Sequence, residues 1–117
     1  MTTLEEVYKV QDELFKKARS IIETKGHDYN RSQQQSGDTL FNMRVAKQLG
    51  ITDTDTQGTL VRLADKFMRL NSLTKDPKVI ASVKDESVRD TITDIMNYVT
   101  YLYIFYLDEK GEKQVAS

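Results

Sequence analysis

The chain predicts an all-α fold, and three observations carry that prediction. Apolar residues recur at three- and four-residue steps through most of the 117 residues. No segment alternates apolar and polar residues as a half-buried strand would. The only proline is Pro77, so helices can run long. The expected architecture is one helical domain over residues 1–107, a bundle of four main helices, followed by a polar tail over residues 108–117.

The first helix is expected from about Leu4 to about Lys25. Its stripe is Leu4, Val7, Val10, Leu14, Ala18, Ile21 and Ile22. Thr2 or Thr3 can cap it, Glu5 and Glu6 suit the positive end of the dipole, and Gly26 is a natural stop. Residues 25–37 then read as a long polar loop. Asp38 or Thr39 can cap a second, shorter helix, roughly Leu40 to Leu49, ended by Gly50. A third helix is expected from about Gln57 to about Thr74. Leu60, Leu63, Ala64, Phe67, Met68 and Leu70 line one side of it, and Arg62, Asp65, Lys66 and Arg69 another. Lys75-Asp76-Pro77 breaks it, and residues 78–83 form a connector of about one helical turn. The fourth helix covers Lys84 to Leu107. At 1.5 Å per residue it spans about 35 Å, long for a monomer of this size. Its second half carries Tyr98, Tyr101, Tyr103, Phe105 and Tyr106 nearly all round, which predicts burial on every side and so a homodimer or higher oligomer.

Composition narrows the function. Basic and acidic residues nearly cancel, at 17 against 18 with one histidine, which argues against general nucleic-acid binding. There are no cysteines, so disulfides, thiol catalysis and cysteine zinc sites are absent. That fits a reducing cytoplasm. The start of the chain does not read as a signal peptide, and no apolar run is long enough to span a membrane.

Three groups of residues can carry chemistry. On the fourth helix Glu86, Asp90 and Asp94 repeat every four residues and Asn97 follows three later, so all four point to one side. Helix-borne carboxylates at this spacing suit a hard cation such as Mg²⁺, which also keeps water and phosphate oxygens as ligands. The same row can be a solvated acidic face or pair with basic side chains, and Asn97 can simply bond within the bundle. On the third helix Lys66 with Arg62 or Arg69 can hold a phosphate, for which the arginine fork is suited, while Asp65 orients them. Asp65 and Arg69 can also form an ordinary intrahelical pair. The third group is Lys25-Gly26-His27-Asp28-Tyr29, whose Lys and Asp are equally at home in a plain turn. His27 stands without a companion motif, and no P-loop, HExxH or Ser-His-Asp arrangement is present.

Three pieces of this sequence line up in order: Lys25-Gly26-x-Asp28-Tyr29, Arg62-x-x-Asp65-Lys66-x-x-Arg69-Leu70, and Glu86-Ser87-x-x-Asp90-Thr91-x-x-Asp94-Ile95-x-Asn97-Tyr98. Together they resemble the first of the nucleotide modification associated domain families, found mainly in bacteriophages and prophages. The resemblance runs roughly from Lys25 to Tyr101. It implies an all-helical protein that handles nucleotides in the cytoplasm of an infected bacterium. More distantly the chain is similar to MazG-type all-α nucleoside triphosphate pyrophosphohydrolases, in which paired Glu-x-x-Glu and Glu-x-x-Asp carboxylates bind Mg²⁺. Asp94 matches the final Asp of that pattern. Position 91 is Thr where the pattern has Glu, Asp90 and Asp94 are four apart, and Glu5, Glu6, Asp12 and Glu13 lie too early to supply the first pair.

Two activities follow as expectations. In one, a (deoxy)nucleotide phosphate is hydrolysed with Mg²⁺, Asp94 and Asp90 being catalytic and Glu86, Asp90 and Asp94 holding the metal. In the other, a cyclic or signalling nucleotide is bound without turnover, which would counter host antiviral defence. The binding residues are Lys25, Asp28, Tyr29, Arg62, Lys66, Arg69, Asn97 and Tyr98 in both, with tyrosines available for stacking. A third reading, a helical dimer whose charges are only surface, needs no ligand.

Overall fold

The computed structural model describes the backbone of residues 1–32, 38–82 and 85–111, and the side chains of residues 1–25, 38–80 and 86–111. Five α-helices follow one another: α1 (Leu4–Ser32), α2 (Val45–Gln48), α3 (Asp55–Lys75), α4 (Pro77–Ser82) and α5 (Asp85–Glu109). A 3-10 turn, Phe41–Arg44, leads into α2. There is no strand among the described residues, so the all-α class expected from the apolar periodicity holds. None of these helices is long and apolar enough to cross a membrane.

The helix boundaries depart from expectation in two places. α1 does not stop at Gly26 but continues to Ser32. Glycine inside a helix costs only about 1 kcal/mol relative to alanine, which neighbouring turns can absorb. Lys25 to Tyr29 therefore sit on the last turns of α1 rather than in a loop. The second main helix is reduced to the 3-10 turn and the four residues of α2. Gly50 ends it at φ 75°, a left-handed conformation that suits a residue without Cβ. The other boundaries follow the local chemistry. Thr3 Oγ1 accepts the Glu6 N–H at 3.2 Å, Thr54 Oγ1 accepts the Gln57 N–H at 3.0 Å, and Pro77 opens α4 where its missing N–H is harmless. α5 runs two residues past Leu107. Residues 112–117 of the expected tail lie outside the described residues.

α3 and α5 are the principal packed pair, and α1 packs mainly on α5. α1 and α5 run in the same sense, since Val10 and Leu14 lie beside Val88 and Ile92 whereas Ile22 lies beside Val99. The pair meets at Ala18 and Asn97, where Asn97 Nδ2 donates to the Ala18 carbonyl at 3.0 Å. Both residues are buried. At the start of α3, Gly58 lets α2 approach, because a Cβ there would lie 3.3 Å from Ala46 Cβ and 3.3 Å from Thr52 Oγ1.

The face that α3 turns inward is only partly the expected one, keeping Leu63 and Leu70 but not Leu60, Phe67 and Met68. Thr59, Leu63, Lys66 and Leu70, at steps of four, three and four, are buried or half-buried. Leu60 and Phe67 remain 51% and 53% exposed, and Met68 69%. Lys66 is drawn in because α5 offers it a carboxylate and an aromatic face, as described below. Among the described residues the buried apolar side chains are few: Ala18, Met43, Leu63 and Phe105. They are joined by Thr59, Thr91 and Thr93, whose hydroxyls donate to carbonyls one turn back and so enter the interior satisfied.

Candidate functional site

α5 carries polar groups along its whole length, and the structure sorts them by neighbour. Glu86 is exposed in the first turn. Asp90 Oδ1 lies 3.8 Å from Lys17 Nζ on α1, with the Asp90 side chain 56% exposed. Asp94 Oδ2 lies 3.3 Å from Lys66 Nζ on α3, and both side chains are mostly buried. Asn97 is committed to the Ala18 carbonyl. A four-residue step advances about 40° around a helix. The row therefore winds across α5, so that Asp90 leans to α1 and Asp94 to α3.

This geometry bears directly on the expected metal set of Glu86, Asp90 and Asp94. Among the described residues no three carboxylate or imidazole groups are placed to hold a metal ion together. The two aspartates instead face separate lysines. A dedicated all-protein Mg²⁺ cage at Glu86, Asp90 and Asp94 is not assembled by this arrangement.

Lys66 is the centre of what the row does assemble. Its ammonium sits between the Asp94 carboxylate and the Tyr98 ring, 5.2 Å from the ring centroid. A cation over an aromatic face at this distance is held electrostatically by the ring quadrupole. Tyr98 in turn packs against Tyr101, centroids 5.9 Å apart and planes tilted by 42°. Lys66, Asp94 and Tyr98 thus form a half-buried cation, anion and ring cluster between α3 and α5. Asp65, the residue before Lys66, and Arg69, one turn after it on α3, are exposed. Arg62 points the other way. Its guanidinium donates to Met43 Sδ and to the Asn42 carbonyl, both at 3.3 Å. Of the residues expected to bind a nucleotide, Lys66 and Tyr98 are brought together, with Arg69 at the rim. Arg62 and Asn97 are engaged in holding the fold. Lys25 is exposed on α1, and the side chains of Asp28 and Tyr29 lie outside the described residues.

A second polar centre was not singled out from the sequence. Arg44, at the end of the 3-10 turn, lies 2.7 Å from Asp38, 2.9 Å from Asp55 and 3.7 Å from Asp108. Its guanidinium also lies over the ring of buried Phe105, 4.7 Å from the centroid. Burial is the largest single influence on Arg44 and works against its charge. The hydrogen bonds and charges of Asp38 and then Asp55 together outweigh it and hold the pKa above the ordinary arginine value. Asp55 is itself buried, and its Oδ1 has no hydrogen-bond partner. Beside it the Glu109 carboxylate accepts from Thr56 Oγ1 at 2.7 Å and from the Thr56 N–H at 3.1 Å, so the end of α5 caps the start of α3. The acids of this corner are spread from residue 38 to residue 109, so no local spacing in the sequence announces it.

No family model, curated protein or solved structure matches the chain.

Proposed function

We propose that this protein binds a nucleotide without needing to cleave it, at the α3–α5 cluster of Lys66, Asp94 and Tyr98. The observation that carries this reading is the placement of Lys66, with its ammonium held between the Asp94 carboxylate and the Tyr98 ring. A phosphate competes with Asp94 for that ammonium, Arg69 adds a fork at the rim, and the Tyr98–Tyr101 pair offers a ring for the base. The resemblance of the Lys25, Arg62 and Glu86 motifs to a phage nucleotide-handling family supports the same ligand class. A cyclic or signalling nucleotide, held in an infected bacterial cytoplasm to counter host defence, fits binding without turnover.

A second reading is hydrolysis of a (deoxy)nucleotide phosphate with Mg²⁺, in which Asp94 and Asp90 are the carboxylates. What favours it is the loose engagement of Asp90, 3.8 Å from Lys17 and more than half exposed. It is the weaker reading because the third carboxylate, Glu86, does not join them. As part of the proposal we also read the chain as a homo-oligomer, since α5 leaves Tyr103 57% and Tyr106 40% exposed.

The test is a panel of mono-, di- and triphosphate and cyclic nucleotides, incubated with the protein with and without Mg²⁺ and followed by chromatography. Intact ligand recovered from the denatured complex supports binding. Product formation abolished by Asp94→Asn would replace it with hydrolysis. No retained ligand and no product would remove both.

A further inference from the structure

α1 carries a second apolar seam whose N-terminal half its own chain does not cover. Val10 and Leu14 lie beside Val88 and Ile92 of α5, and Ala18 is buried against Asn97. Leu4, Tyr8, Gln11, Phe15, Ala18 and Ile22 follow one another at steps of four, three, four, three and four. That is the spacing of a coiled-coil seam, in which apolar residues alternate at these steps to face a partner helix. Leu4 is 64%, Tyr8 54% and Phe15 53% exposed. Where the seam meets α5 it opens into a groove of about 730 Å³, whose apolar lining includes Phe15, Ile22, Met96 and Val99.

We infer that a second copy of this chain covers the seam, its α1 lying antiparallel against the first along Tyr8 and Phe15. Charge selects both the occupant and the direction. Glu5 and Glu6 stand in the first turn of α1, and Lys16 and Arg19 rim the groove. Antiparallel pairing brings the acidic end of one α1 to the basic stretch of the other, twice over, as a two-fold axis requires. Residues flanking such a seam set partner and orientation in this way, and here Glu5 meets Arg19 of the second copy. This assignment rests on the homo-oligomer reading given above and places the interface on α1 rather than at Tyr103 and Tyr106 of α5.

The test is sedimentation velocity on the full chain over a concentration series, with helicity followed by circular dichroism. The wild-type chain is expected to be a dimer. Phe15→Asp and Tyr8→Asp, both at exposed positions, are expected to weaken it by about a hundredfold or more while helicity is retained. Glu5→Arg is expected to weaken it less, and adding Arg19→Glu to restore it. A dimer unmoved by Phe15→Asp and Tyr8→Asp, or one dissociated instead by Phe67→Asp on α3, would overturn the α1 seam and leave the oligomer standing. A wild-type monomer at all concentrations would overturn both. A variant that loses helicity is replaced by Tyr8→Ala, which keeps the helix and is expected to dissociate the dimer in the same direction.

Discussion

The two ends of α5 treat charge in opposite ways. At its C-terminal end Asp108 and Glu109 belong to a tightly connected corner. There Arg44 bridges Asp38 and Asp55 at 2.7 and 2.9 Å, lies over Phe105, and has the Glu109 cap of α3 beside it. Toward its N-terminal end Glu86 and Asp90 are exposed, and Asp90 meets Lys17 only at 3.8 Å. Asp94 and Lys66 lie between these extremes at 3.3 Å. The contrast separates charges that hold the fold from charges that a ligand can still recruit. A short, multiply bonded pair has little spare capacity, whereas a longer, singly bonded pair can exchange one partner for another at less cost.

Substitutions can break that comparison, and the largest effect is expected at Arg44. Arg44→Met would leave Asp55 buried without its cation, and Asp55 already has one oxygen unpartnered. The expected loss is roughly 3 kcal/mol of folding stability, read from urea unfolding. If Arg44→Met unfolded at the wild-type midpoint, the corner would not be structural. Asn97→Leu comes next. It removes the buried Asn97 Nδ2 bond to the Ala18 carbonyl, which keeps its own helical partner inside α1, at a cost of about 1 kcal/mol. Hydrogen exchange should then quicken in α1 before it quickens in α3 and α5. Uniform loss across all three helices would mean that α1 is not a separately held element. Lys66→Met should cost no more than about 1 kcal/mol, since its pair with Asp94 is partly solvated. Glu86→Gln is the smallest, with no measurable change in the unfolding midpoint. A drop there would give the N-terminal end of the row an architectural part that its exposure denies.

What the sequence made legible follows from the range of the interactions. Helix class and most boundaries are local, and the Thr3 cap, Gly50 and Pro77 all act where their chemistry placed them. Gly26 misled because a single glycine is a weak stop inside a long amphipathic helix. The orientation of α3 was not legible. Apolar content ranks Leu60, Phe67 and Met68 as core, but Asp94 and Tyr98 on α5 turn Lys66 inward and leave those residues out. The acidic row illustrates the same point at the site. Its four-residue spacing correctly put Glu86, Asp90 and Asp94 on neighbouring positions. Helical drift of about 40° per step, together with a lysine on each of two flanking helices, then divided them. The Arg44 corner joins residues too far apart in the chain for any spacing rule to find.

The central claim is that Lys66, Asp94 and Tyr98 form a ligand site while the Arg44 corner only holds the fold. The most direct measurement is isothermal titration of a nucleotide panel into wild-type protein and into Lys66→Met, at matched circular dichroism. The account predicts a nucleotide that binds the wild type and loses at least about tenfold in affinity with Lys66→Met, in a protein that remains folded. Equal affinity for the two folded proteins would contradict it.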